Sequence, residues 1–153
     1  MASENDITKR TLVLQRTFDA PVELVWEAWT KPEHIAHWWA PKMMKVQVVE
    51  HNFKVGGKWK YVMAMPDGSE FISDGVYSEI VPLKKIVTTA NMKPMTEGVE
   101  IKALFEAKGE KTVFTFSVLH GTEEYKLAQE KMGFYNGWGS VFDRLNDFVK
   151  GIR

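Results

Sequence analysis

Residues 121–153 read GTEEYKLAQEKMGFYNGWGSVFDRLNDFVKGIR, and this stretch decides the fold. Tyr125, Ala128, Met132, Tyr135, Trp138, Phe142, Leu145, Val149 and Ile152 recur every three or four residues, the spacing of one helical face. Thr122 with Glu123 and Glu124 supplies a cap and an acidic first turn, and Lys150-Gly151 reads as the stop. About 28 residues of helix would extend roughly 42 Å, enough to cross a small domain. Gly133, Gly137 and Gly139 interrupt the pattern. Each disfavours a helix by about 1 kcal/mol relative to alanine. Their presence predicts either a close approach of the helix to its neighbours or a bend that leaves a gap flanked by Phe134, Tyr135 and Trp138.

Upstream of that helix the pattern has period two. Thr11–Phe18 alternates as a first strand. Pro21 then opens a short helix whose apolar face is Val22, Val25, Trp26 and Trp29. A second is expected from a capping box, Thr30 with Glu33, running through Ile35 to Trp38-Trp39 and ended by Pro41. Six strands follow: Lys45–Glu50, the segment around Trp59, Tyr61, Met63 and Met65, Phe71–Val81, Lys85–Met92, Val99–Ala107 and Lys111–Val118. Gly56-Gly57, Pro66-Asp67-Gly68 and Lys108-Gly109-Glu110 mark turns. Short connections imply antiparallel pairing, and Gly75 inside a strand predicts a bulge or bend. The expected architecture is α+β: a curved, seven-stranded antiparallel sheet wrapped around a long C-terminal helix, with two short helices after the first strand. Residues 1–9 are expected to be loosely held, and 10–153 to form one domain.

Bulk composition removes several classes of function. The 153 residues carry 20 basic and 20 acidic side chains, so no net field gathers nucleic acid or anionic lipid. Cysteine is absent, which removes disulfides, thiolate metal sites and cysteine nucleophiles. The first ten residues are polar, unlike a signal peptide or anchor, and no run approaches the roughly 20 apolar residues of a membrane span. The expected location is the cytoplasm. Six tryptophans, nine phenylalanines, four tyrosines and eight methionines supply either a large core or an accommodating pocket.

Chemistry-bearing motifs are few. His34 and His37 stand three apart on a short helix without a matching carboxylate, which favours a solvated face over a metal site. His51, in a turn region, and His120, just before the helix cap, are both expected to be exposed. Gly137-Trp138-Gly139-Ser140 is no nucleophile elbow, because Ser140 has no base assigned to it. Strict alternation puts Val99, Ile101, Ala103 and Phe105 inward and Glu100, Lys102 and Glu106 outward. Asp74, beside Gly75, is the carboxylate whose facing is open, and Tyr77 is a candidate hydrogen-bond donor. Neither a catalytic residue, a metal nor a cofactor is assigned.

The ordered set Arg16–Trp26, Pro32-Glu33, Trp38-Trp39, Pro41, Gly56–Trp59, Pro66–Gly68, Gly75–Ile80 and Gly137-Trp138 resembles bacterial proteins related to the activator of Hsp90 ATPase. They belong to the START/Bet v 1-like (SRPBCC) superfamily. The resemblance runs from about Arg10 to Val149 and implies a helix-grip fold enclosing a hydrophobic cavity. It implies a choice of roles: a carrier or sensor for a small hydrophobic or aromatic molecule, with a stress-related role as one option; a co-chaperone of an Hsp90-type ATPase; or a cyclase or hydratase using a cavity Asp or Tyr. The first is the leading expectation. Its site is expected to comprise Trp38, Trp39, Trp59, Tyr61, Met63, Tyr77, Phe114, Phe116, Met132, Tyr135 and Trp138.

Overall fold

The computed structural model describes residues 4–40, 44–93 and 96–152. Strand β1 (Thr11–Phe18) leads into helices α2 (Val22–Thr30) and α3 (Pro32–Ile35). The meander β2 (Lys45–His51), β3 (Lys58–Ala64), β4 (Glu70–Val81), β5 (Lys85–Lys93), β6 (Thr96–Lys108) and β7 (Lys111–Leu119) follows. Two helices complete the chain, α4 (Glu123–Lys131) and α5 (Phe134–Ile152), and a short helix α1 (Glu4–Lys9) precedes β1 in the stretch expected to be loosely held.

All seven strands join one antiparallel sheet in the order β1-β7-β6-β5-β4-β3-β2. The first strand therefore lies at one edge and the second at the other. The α2–α3 connection carries the chain between them, which places these helices across one end of the sheet. The strands match the sequence expectation closely because alternation and turn residues are local signals. Gly68 and Gly109 adopt φ of +92° and +62° in their hairpins, the left-handed region that favours glycine.

Burial follows strand parity. Trp59, Tyr61 and Met63 on β3, Val99, Ile101, Ala103 and Phe105 on β6, and Phe114, Phe116 and Val118 on β7 face the core. Phe142, Leu145 and Val149 of α5 pack onto them, with Phe116 and Phe142 ring centres 5.0 Å apart. Helix α5 is pinned on both sides. Arg16 of β1 pairs with Asp143 and donates to the Gly139 carbonyl at 3.3 Å, and Arg144 donates to the Ala40 carbonyl at 2.7 Å.

Four sequence expectations need correction. The C-terminal segment is two helices rather than one of 28 residues, because Gly133 sits at φ +100°, a conformation that ends α4. Helix α5 continues through Gly151 to Ile152, so Lys150-Gly151 is not its stop. The Thr30–Glu33 capping box does not form: Thr30 is the last residue of α2, Lys31 is the N-cap of α3 without a side-chain cap bond, and α3 ends at Ile35. Pro32 explains this, since the residue before proline is driven to extended backbone, here ψ 124° at Lys31. Trp38 and Trp39 lie in the turns beyond, and Pro41 lies outside the described residues.

The fourth correction concerns Gly75, expected at a bulge or bend: no bulge forms there. The β4–β5 register shifts between Tyr77 and Glu79 instead. A Cβ at Gly75 would stand 2.0 Å from the Thr89 carbonyl oxygen and 2.8 Å from Nε1 of Trp59. Glycine is present to let two strands and an indole approach.

Candidate functional site

Helix α5 packs a buried face on the sheet, whereas α4 touches only its margin and none of its residues is buried. The chain turns at Met132–Gly133, and beneath that turn is a cavity of about 290 Å³. The sheet contributes Met63 from β3, Phe71 and Ser73 from β4, Met92 from β5, and Val118 with the following His120 from the β7 end. Trp39 and Met44 close one side, and Gln129, Met132, Phe134, Trp138 and Val141 close the helical side along with Gly133 and Gly137. None of these described lining residues carries a formal charge other than through His120. Met44, Met63, Met92 and Met132 give the wall four unbranched thioether side chains, which adapt to irregular shapes.

The aromatic wall is braced from behind. Trp138 rests on Phe116 at 4.6 Å between ring centres and on Trp39 at 5.8 Å. Trp39 donates its indole N–H to Ser73 Oγ at 3.3 Å, and the Ser73 hydroxyl reaches Met63 Sδ at 3.8 Å. Trp38, entirely buried, donates to the Ala28 carbonyl at 2.9 Å and so ties the turn after α3 back to α2.

His120 is 2% exposed, against the exposure expected of it ahead of the helix cap. It continues the inward parity of Phe114, Phe116 and Val118. Its backbone N–H donates to the Arg10 carbonyl at 2.9 Å, and Nδ1 approaches the same oxygen at 3.2 Å. Burial pushes its pKa below the ordinary value, and carbonyls of Arg10 and Val118 partly oppose that shift. Burial favours the uncharged ring, and Nδ1 is the nitrogen that donates to the Arg10 carbonyl.

His51 is also a correction. It ends β2, half-buried, with Nε2 donating to the Thr30 carbonyl at 2.7 Å and Nδ1 accepting from the Tyr61 hydroxyl at 2.8 Å. The Tyr77 hydroxyl stands close enough to that of Tyr61 for each to influence the other. Burial lowers the His51 pKa and raises both tyrosines, holding all three groups neutral. This chain fastens the end of α2 to the sheet.

The sequence-derived site residues divide into four sets. Trp39, Met63, Met132 and Trp138 line the cavity. Trp59, Tyr61 and Tyr77, with Trp39 again, surround a separate void of about 20 Å³, space for roughly one water molecule. Trp38, Phe114 and Phe116 are at 0% exposure inside the packed aromatic core. Tyr135 is 42% exposed and lines neither space. Residues missed from the sequence include Phe71, Ser73, Met92 and His120. Phe71 and Ser73 stand at even steps from Tyr77, and His120 at even steps from Phe116, so their facing was available from parity.

Asp74 points outward, accepting from Asn91 Nδ2 at 2.9 Å while its neighbours Ser73 and Gly75 are buried. No carboxylate lines the cavity among the described residues. His34 and His37 both pack on Phe148 at 5.2 Å. Among the described residues, no group of three or more His, Asp or Glu side chains could hold a metal, and no helix is long and apolar enough to cross a membrane.

A seven-stranded antiparallel sheet gripping a C-terminal helix, with an apolar cavity between them, defines a helix-grip protein of the START/Bet v 1-like type. The chain belongs to the Activator of Hsp90 ATPase homolog 1-like protein family, whose profile matches residues 19–150. Comparison with curated proteins gives no match. Among solved structures, a Nitrosomonas europaea protein is 27% identical with a TM-score of 0.82, covering 94% of this chain and 96% of that one. An AHSA1-like protein from Aeromonas hydrophila is 21% identical with a TM-score of 0.75, covering 93% of each chain. A Rhodobacter sphaeroides protein, at 16% identity, has a TM-score of 0.87 and covers 94% of each. The last two similarities speak to the fold alone.

Proposed function

We propose that this protein is a non-covalent carrier or sensor for a small hydrophobic or aromatic molecule, held in the cavity beneath the α4–α5 break. The observation that carries this reading is the cavity itself, about 290 Å³ walled by aromatic and methionine side chains. An apolar cavity of about 150 Å³ admits benzene, so twice that volume suits one or two fused rings and is small for a long-chain lipid. Trp39, Met63, Met132 and Trp138 supply the contacts, joined by Phe71, Met92 and Phe134. Burying on the order of 250 Å² of ligand surface gains about 6 kcal/mol, or tens of micromolar in affinity.

Six indole N–H groups make the test direct. In a ¹⁵N-correlated NMR titration with naphthalene, the indole signals of Trp39 and Trp138 shift. That of Trp26, which packs on Phe53 and Phe105, stays in place. Val118→Phe, which puts a ring into the space, weakens binding about tenfold or more while the protein still unfolds cooperatively. Absence of any indole shift at saturating naphthalene rejects the carrier reading.

Family membership supports a second reading, a co-chaperone acting on an Hsp90-type ATPase. Stimulation of a bacterial Hsp90 ATPase by the purified protein supports it, and an unchanged rate at excess protein rejects it.

A further inference from the structure

We infer that the cavity selects neutral aromatic molecules of one or two rings that carry an O–H or N–H donor, and that His120 receives that donor at Nε2. The inference rests on the carrier reading and narrows it to a chemical class.

Three observations converge on it. The first is electrostatic. Among the described residues, the lining holds no lysine, arginine, aspartate or glutamate. The lining residues themselves offer a charged ligand no counter-charge for the water it leaves, which is unfavourable, and the Lys126 ammonium acts on His120 from outside the lining. The apolar wall favours a neutral ligand.

The second is the state of the imidazole. His120 is 2% exposed and lines the cavity. Burial favours its uncharged form. A neutral ring carries one proton, and Nδ1 uses it toward the Arg10 carbonyl at 3.2 Å. That carbonyl is fixed, because it also accepts the His120 backbone N–H at 2.9 Å, and Arg10 Nη1 donates back to the His120 carbonyl at 2.9 Å. With this side of the ring anchored to the backbone beside β1, the tautomer is set and Nε2 is left as a lone-pair acceptor.

The third is the condition of the other polar lining groups. Ser73 Oγ accepts from Trp39 and directs its own proton to Met63 Sδ. Gln129 Nε2 reaches Met132 Sδ at 3.9 Å. Ser73 already accepts one hydrogen bond and Gln129 is turned by its amide nitrogen toward Met132, whereas the imidazole Nε2 is an acceptor with no hydrogen bond of its own to a neighbour. A naphthol-sized molecule fits the cavity, and its hydroxyl is the group that an imidazole acceptor recognises.

Four probes of nearly equal shape test this by the same NMR titration at pH 7.5: 1-naphthol, 1-methoxynaphthalene, naphthalene and 1-naphthoate. The expected order places 1-naphthol about three- to tenfold tighter than 1-methoxynaphthalene and naphthalene. Naphthoate binds weakest. In protein carrying ¹⁵N-histidine, the Nε2 resonance of His120 moves toward the hydrogen-bonded range with 1-naphthol and stays in place with 1-methoxynaphthalene. His120→Gln and His120→Leu remove the preference between naphthol and its methyl ether. The wild-type nitrogen signal decides the matter even where neither variant folds. Equal affinities for naphthol and methoxynaphthalene, or an unmoved Nε2 signal with naphthol bound, overturn the selection rule and leave the carrier reading standing. Failure of naphthalene and naphthol alike removes the carrier reading itself.

Discussion

Replacing Gly75 by alanine adds one methyl group to a strand, an innocuous change at most positions, yet here it should be among the most damaging single substitutions available. The added Cβ would lie 2.0 Å from the carbonyl oxygen of Thr89 and 2.8 Å from Nε1 of Trp59. The first obstacle is backbone of the adjoining strand and cannot rotate away, so β4 and β5 must separate locally. The second obstacle displaces an indole that donates to Thr88 Oγ1 at 2.8 Å in a fully buried setting. Overpacking of this kind destabilises by about 1–3 kcal/mol. A buried donor stripped of its acceptor adds about 1–3 kcal/mol more. A total near 4 kcal/mol is about a quarter or more of the roughly 5–15 kcal/mol that holds a domain folded.

The matched control is Gly137→Ala. A Cβ there meets nothing within 4 Å, and Gly137 lies within α5. Alanine should stabilise that helix by about 0.5–1 kcal/mol. At about 2–4 °C per kcal/mol for a chain of this size, calorimetry should find Gly75→Ala melting roughly 10 °C below wild type and Gly137→Ala slightly above it. If Gly75→Ala melts within about 2 °C of wild type, or the two variants coincide, the close approach of β4, β5 and Trp59 is not a constraint on this fold.

Other perturbations probe the buried polar groups and the helix break. His51 and His120 both have folded pKa values below the ordinary 6.5. As pH falls through that value the unfolded imidazoles take up protons and the folded ones do not, so stability is full above it and declines as pH drops toward the lowered folded values. The urea midpoint should fall between pH 7.5 and 5.5, and a flat midpoint over that interval refutes the assignment. Tyr61→Phe deprives His51 Nδ1 of its donor and should cost about 1–3 kcal/mol in urea unfolding; an unchanged midpoint would show that the bond contributes nothing net. Gly133→Ala places a side chain at φ +100° and should destabilise by about 1–3 kcal/mol, whereas a gain in stability with more helix by circular dichroism would mean that α4 and α5 can fuse.

The strands were readable because their signals are short-range. Alternation at Trp59, Tyr61 and Met63, and turn residues such as Asp67-Gly68, depend on a few neighbouring positions, and the observed bounds differ from those expected by a few residues at most. The Gly133 break was not readable in the same way. The apolar period runs through Met132 without interruption, and an isolated glycine weakens a helix by only about 1 kcal/mol, so periodicity alone cannot distinguish a tolerated glycine from a left-handed one. Met132 shows the consequence: it occupies a core position of the heptad-like pattern and is 63% exposed.

The same break explains why only part of the site was legible. Parity tells which residues of β7 face inward, and Phe114, Phe116, Val118 and His120 all do. It does not tell how far along the strand the helix stays in contact. Phe114 and Phe116 lie under the part of α5 that Arg16 and Arg144 pin down, where Phe142 fills the space, and they are solid core. Val118 and His120 lie beyond, where the chain has turned away at Gly133, and they face the cavity. A wall residue and a core residue here share a strand, a face and a chemical character, and they differ in which side of one glycine torsion stands opposite them. The cavity is thus a product of the helix break, and a variant that straightened the C-terminal segment would abolish the site before it altered any of the side chains that line it.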